Sequence, residues 1–121
     1  MKEISLYIRP EDFSKVVGIL RKNNVGGITF FETNGSGRKK HEPVPERVRA
    51  YMTGRMITPE FVKGTKIEVI VPDSSADQIV EYILDNLSPD TAAHGMIFVK
   101  DVSGAYEIGT KLKGESVLTP K

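Results

Sequence analysis

Cysteine is absent from the 121 residues, which excludes a disulfide framework, a thiolate metal site and a cysteine nucleophile together. No run approaches the roughly 18 consecutive apolar residues of a membrane-spanning helix. Met1-Lys2-Glu3-Ile4 passes directly into a strand pattern without the apolar core of a secretory leader, so a cytoplasmic location is expected. Histidine is scarce: His41 and His94 are the only two. Neither has a second ligand at metal spacing, and a solvated or polar-network role is expected for each rather than zinc binding. An excess of one charge is also missing. A formal net charge of +1 excludes a broadly basic nucleic-acid binder, while 39% hydrophobic and 27% charged residues describe a globular chain rather than a disordered one. No Ser-His-Asp arrangement, carboxylate pair or metal motif can be placed, so no enzyme is expected. The length suits one domain over residues 1–121.

The charge that is present is unevenly distributed. Arg38, Lys39, Lys40, Arg47, Arg49 and Arg55 stand against only Glu42 and Glu46, a basic island of four excess cations. It lies in a stretch, Asn34 to Thr65, without hydrophobic periodicity, and its glycine, proline and charge content leaves it no core of its own. A connection of that length inside a compact domain is usually functional or disordered.

On either side of it the periodicity is clear. Ile4, Leu6 and Ile8 alternate with Glu3, Ser5 and Tyr7 as in a strand with one buried face, and Pro10 ends the run. Phe13, Val16, Val17 and Leu20 then make the apolar stripe of a helix running to about Asn24. "ITFFET" reads as a second strand and "KIEVIV", Lys66 to Val71, as a third. After Pro72, Ile79, Val80, Ile83, Leu84 and Leu87 mark a second helix, with Ser75 and Gln78 spaced as a capping box. "MIFVKDV" is the last strand. The order βαββαβ predicts an α+β, ferredoxin-like domain: a four-stranded antiparallel sheet with two helices on one face. Tyr7, Ile70, Met96, Phe98 and either Phe30 or Phe31 fall on the other face, too apolar to be left to solvent, so packing against another subunit is expected.

The octet "TNGSGRKK", Thr33 to Lys40, opens the long connection. Glycines at 35 and 37 permit positive φ and close backbone approach, so successive N–H groups could converge on an anion, and Arg38 adds a fork of donors matched to phosphate oxygens. Alone, this pattern describes a turn as well as an anion site.

In sequence the chain resembles the PII signal-transduction family. The stretch from Met1 through "NGSGR" resembles its opening strand, helix and second strand, ending in K-G-x-G-R. "TGRMITPEFVKGTKIEVIVPD" resembles the return of the family's T-loop, "HGMIFVKDV" the exit of its B-loop, and "GTKLKGESVL" its C-terminal R-T-G-E segment. The resemblance implies a homotrimer with a T-loop at about residues 36–62, a B-loop at about 88–95 and a C-terminal segment at 103–121. It also implies an adenine nucleotide (AMP, ADP or ATP) in clefts between subunits, often with Mg²⁺ and 2-oxoglutarate, and control of a target transporter or metabolic enzyme through the T-loop. By the same resemblance Thr29, Gly35, Ser36, Gly37, Arg38, Lys39, His94 and Gly95 line the nucleotide site, and Arg47, Arg49 and Tyr51 meet the partner.

Departures from the family pattern bear on the ligand. Ala93 replaces a B-loop glycine, His94 an aspartate and Met96 a phosphate-binding lysine, while two arginines of the family align with Glu107 and Gly109. Each lost charge-assisted phosphate contact costs about 1.5–3 kcal/mol, which weakens a triphosphate most. Lys111 and Lys113 stand nearby in sequence. Lys39 occupies a Mg²⁺-associated glutamine position and Gly64 that of the 2-oxoglutarate lysine, with Lys63 beside it; both changes argue against Mg²⁺ and 2-oxoglutarate. The alternative function is an RNA-recognition module using the basic island, since such domains share the βαββαβ order. They expose stacking aromatics on their central strands, and "KIEVIV" offers none.

Overall fold

A computed structural model describes residues 1–35, 62–87 and 95–120. Four strands, β1 (Lys2–Ile8), β2 (Thr29–Gly35), β3 (Val62–Val71) and β4 (Met96–Asp101), form one sheet in the order β2-β3-β1-β4 with every neighbouring pair antiparallel. Helices α1 (Phe13–Lys22) and α2 (Asp73–Asn86) connect β1 to β2 and β3 to β4. This is the ferredoxin-like arrangement the sequence predicts.

Strand alternation decides what the core contains. Ile4, Leu6 and Ile8 of β1 and Ile67, Val69 and Val71 of β3 point to one side, where Val16 and Leu20 of α1 and Ala76, Ile79 and Ile83 of α2 cover them. Each buried branched side chain contributes about 1.5–3 kcal/mol through removal from water.

Local chemistry closes the turns. Arg9 grips Asp12 with two hydrogen bonds, Nε to Oδ2 at 2.9 Å and Nη2 to Oδ1 at 3.3 Å, across a 3₁₀ turn at Pro10–Asp12 that redirects the chain from β1 into α1. The far end of α1 is a Schellman cap: the Val25 N–H donates to Leu20 O and the Asn24 N–H to Arg21 O, with Asn24 at φ +63°. Val25 and Leu20, the two residues this motif brings into contact, are both buried.

Some boundaries differ from those read in the sequence. Helix α2 begins at Asp73 with Pro72 as N-cap, and the Ser75 hydroxyl donates to Pro72 O at 3.2 Å, so no capping box forms. Pro72 supplies the extended backbone of a cap, which places Ser75 inside the first turn. Strand β3 starts at Val62, earlier than its alternation indicates, because Val62–Thr65 pair with Gly35–Glu32 of β2. Beyond β4, the Val102 N–H donates to Met1 O, and a small hairpin follows in which Tyr106 bridges Lys113 and the Gly114 N–H donates to Ala105 O at 2.9 Å. A second 3₁₀ turn, Glu115–Leu118, lies near the end of the described chain.

Candidate ligand-binding site

The register settles the composition of the sheet face that carries no helix. Phe31, Lys66, Tyr7 and Met96 form one row across the four strands, and Thr29, Glu68, Ser5 and Phe98 the next; Ile70, Glu3 and Lys100 follow on β3, β1 and β4. Phe31 therefore belongs to this face. Phe30 lies on the other, its ring centroid 4.7 Å from that of Phe13.

The face is a patchwork of rings and compensated charges. Lys66 Nζ lies 2.8 Å from Glu68 Oε1 and sits over two rings, 5.3 Å from the Tyr7 centroid and 5.6 Å from that of Phe31. The hydrogen bond to Glu68, followed by that to Tyr7, raises the Lys66 ammonium above its usual range. Tyr7 meets Phe98 edge to face at 5.8 Å. The Ser5 hydroxyl, only 2% exposed as a residue, donates to Glu3 Oε2 at 3.1 Å, and Lys100 Nζ lies 3.7 Å from the same oxygen. Sequence reasoning named the apolar members of this face and missed the Lys66–Glu68 pair, although the alternation of "KIEVIV" carries both residues to that side.

Of the residues expected to bind a nucleotide, Thr29 opens β2 and Gly35 closes it, both on the open face because they differ by an even number of positions. Gly35 pairs with Val62 as ordinary strand, without positive φ, and a Cβ there would meet nothing within 4 Å. The conformational freedom expected of it is therefore unused. Gly95 immediately precedes β4, at the end of the sheet where the β2–β3 pair terminates. Ser36, Gly37, Arg38, Lys39, Arg47, Arg49, Tyr51 and His94 lie outside the described residues, as do Ala93 and His41. At Gly64 a Cβ would sit 3.0 Å from Thr33 Oγ1 and 3.2 Å from Ile8 O, so a side chain fits there only if β1 or β2 yields.

Two distances in this frame constrain a ligand. Six residues of strand separate Thr29 from Gly35, roughly 20 Å, so a molecule touching both is long. Thr29 and Gly35 lie on one edge strand and Gly95 beside the other, with β3 and β1 between them. The gap across the sheet is roughly 14 Å, three inter-strand steps. The edges β2 and β4 can approach each other closely only when they belong to different copies of the chain. Among the described residues no three His, Asp or Glu side chains are grouped to hold a metal ion, and no helix is long and apolar enough to cross a membrane.

A βαββαβ sheet, one face under two helices and the other bearing aromatic rings, with a long connection leaving the β2–β3 stem, defines the architecture without defining its biochemistry. Comparison with known proteins does so: the family model for "Nitrogen regulatory protein P-II" matches residues 1–111. The chain is 31% identical over 118 residues to the nitrogen regulatory protein P-II of Haemophilus influenzae, covering 98% of this chain and 100% of that protein. It is 32% identical over 110 residues to that of Porphyra purpurea, covering 91% and 93%. It is also 31% identical over 118 residues to the nitrogen regulatory protein P-II 2 of Methanothermobacter thermautotrophicus, covering 98% and 97%. The chain belongs to the P-II family of nitrogen regulatory proteins.

Proposed function

We propose that this regulatory protein is a homotrimeric sensor. It binds an adenine nucleotide in the cleft where β2 of one copy meets β4 of the next, and passes that state to a target transporter or metabolic enzyme through the connection between β2 and β3. The observation that carries the reading is the placement of Thr29 and Gly35 at the two ends of one face of an edge strand, with Gly95 beside the opposite edge. A ligand with a base at one end and phosphate at the other would lie along the strand, its base toward Thr29 and its phosphate toward Gly35, and a second copy completes the surround. Gly37 and Arg38, which follow Gly35 directly in the sequence, supply the amides and the guanidinium for the phosphate end.

The same considerations order the ligands. Met96, Glu107 and Gly109 stand at cation positions of the family pattern, so AMP and ADP are favoured over ATP. The cramped Gly64 and the cation Lys39 disfavour 2-oxoglutarate and Mg²⁺. The basic residues Arg47 and Arg49, together with Tyr51, are assigned to the target. Ordering a segment costs about 1–2 kcal/mol of backbone entropy per residue. A nucleotide therefore orders only the residues next to it, and the target must order the remainder. An RNA-recognition role is disfavoured: of the two central strands only β1 presents a ring to the open face, and Lys66 and Phe98 already cover Tyr7.

Calorimetric titration with AMP, ADP and ATP, each with and without Mg²⁺ and 2-oxoglutarate, tests this. Saturable binding is expected, weakened at least tenfold in Arg38→Ala and in Gly37→Val. Parental affinity in both variants would remove the anion site from this segment.

A further inference from the structure

The chain beyond β4 crosses the end of the sheet. It is fixed to β1 where it starts, by the Val102 N–H on Met1 O and by the Lys2–Asp101 ion pair, and it finishes against the α1–β2 loop on the far side. There the backbone of Leu118 lies so close to Gly26 that a Cβ on residue 26 would stand 2.4 Å from Leu118 O, 3.2 Å from Leu118 C and 3.1 Å from Thr119 C. These are backbone atoms, which cannot swing aside as a side chain would. Gly26 has no positive φ, so glycine serves at this position for space alone. Gly114 is the converse: its φ is +92°, and a Cβ on it would touch nothing within 4 Å. One glycine makes the bend that leads into the last turn, and the other receives the turn.

What holds the turn is slight. Among the described residues its hydrogen bonds are internal, Val117 N–H to Gly114 O at 3.2 Å and Thr119 hydroxyl to Ser116 O at 3.2 Å. Among the described residues, none C-terminal to Ile97 belongs to the hydrophobic core or packs directly on it. Glu115 and Ser116 are exposed, while Val117 and Leu118 are half-buried beside β3. Between the two attachments the hairpin Ala105–Gly114 stands out, with Ile108 94% and Tyr106 73% exposed. We propose that Glu115–Leu118 is a releasable latch seated on Gly26 and hinged at Gly114. When latched, it fixes the hairpin at the end of the sheet. When released, it frees residues 114–120 and leaves the sheet and both helices intact. The device concerns the fold itself and does not depend on which ligand the protein binds.

Hydrogen–deuterium exchange read peptide by peptide on the full chain tests the proposal, comparing the parent with Gly26→Ala and Gly27→Ala. A Cβ at position 27 meets nothing within 4 Å, so the neighbouring substitution controls for loss of a glycine in the same loop. In Gly26→Ala, amides of residues 115–119 should exchange at least tenfold faster, with β1 and β3 at parental rates; Gly27→Ala should match the parent throughout. Several outcomes would overturn the latch: residues 115–119 unprotected in the parent already, equal rates in parent and Gly26→Ala, equal acceleration in Gly27→Ala, or acceleration that spreads into β1 and β3.

Discussion

Asn24 shows how one residue ends a helix. At φ +63° it occupies a region that most L-residues reach only at a cost of about 1–2 kcal/mol, and from there its N–H and that of Val25 reach back to Arg21 and Leu20. Asparagine tolerates this conformation and glycine enters it freely, whereas a β-branched side chain does neither. Replacing Asn24 with Val should lower unfolding stability by about 1–2 kcal/mol in urea denaturation, while Asn24→Gly should leave it nearly unchanged. Equal losses in both variants would mean that the asparagine side chain, and not the backbone angle, is what the cap needs. Lys111 holds a similar angle, φ +62°, at the tip of the C-terminal hairpin, where its N–H donates to Glu107 O at 2.8 Å.

Among the elements, the junction of β1 with β4 is held electrostatically at one end. Lys2 pairs with Asp101, and this contact depresses the Asp101 carboxyl below the usual carboxylate range while raising Lys2. A carboxyl more acidic in the folded state than in the unfolded one contributes stability above its unfolded pKa and loses it as pH falls through the folded value. A raised lysine contributes below its unfolded pKa and loses that contribution only in strong alkali. Parent and Asp101→Asn should therefore differ by a constant amount from about pH 5 to pH 9, and the difference should shrink as pH falls through the lowered Asp101 pKa. Added salt should shrink the difference, because Asp101 is exposed. Urea midpoints from neutral into acid check it, and a gap that does not narrow at all as pH falls would assign the contact to packing.

Which parts of these elements could be read in advance depends on how many environments a stretch serves. Ile4, Leu6 and Ile8 alternate against a single core and are legible at once, as is the stripe of α1. Val62–Thr65 are not, since they pair with β2 in a region where neither strand has a strongly apolar face. Phe30 and Phe31 are equivalent by composition, and only the register opposite Ile67 and Lys66 separates them. Ser75 and Gln78 satisfy a capping pattern that Pro72 overrides. Thr29, Gly35 and Gly95 are named by likeness to a family, but their division between two sheet edges follows from strand order, which no local pattern encodes.

For the whole molecule, the open face is the feature that demands a partner. Phe31, Met96 and Phe98 are exposed in the single chain beside Tyr7 and Ile70, and the charges among them are already paired within the chain. The proposed trimer would cover this surface. In the proposed trimer, Phe98→Glu would introduce a carboxylate into this contact and should shift the sedimenting species toward single chains with the far-UV spectrum retained. A variant that stays trimeric would place the subunit contact elsewhere.

The position of β1 has a consequence for biosynthesis. Lys2–Ile8 precedes the other three strands in the sequence, yet its two neighbours in the sheet are β3 and β4, of which the second ends at Asp101. At about 5–20 residues per second a ribosome needs several seconds to tens of seconds to deliver that strand. Until then the nascent chain carries an alternating apolar strand with no permanent partner on its β4 side. The sheet is consequently completed only after β4 has been made, and the yield of folded protein in the cell should depend on whatever shields β1 during that interval.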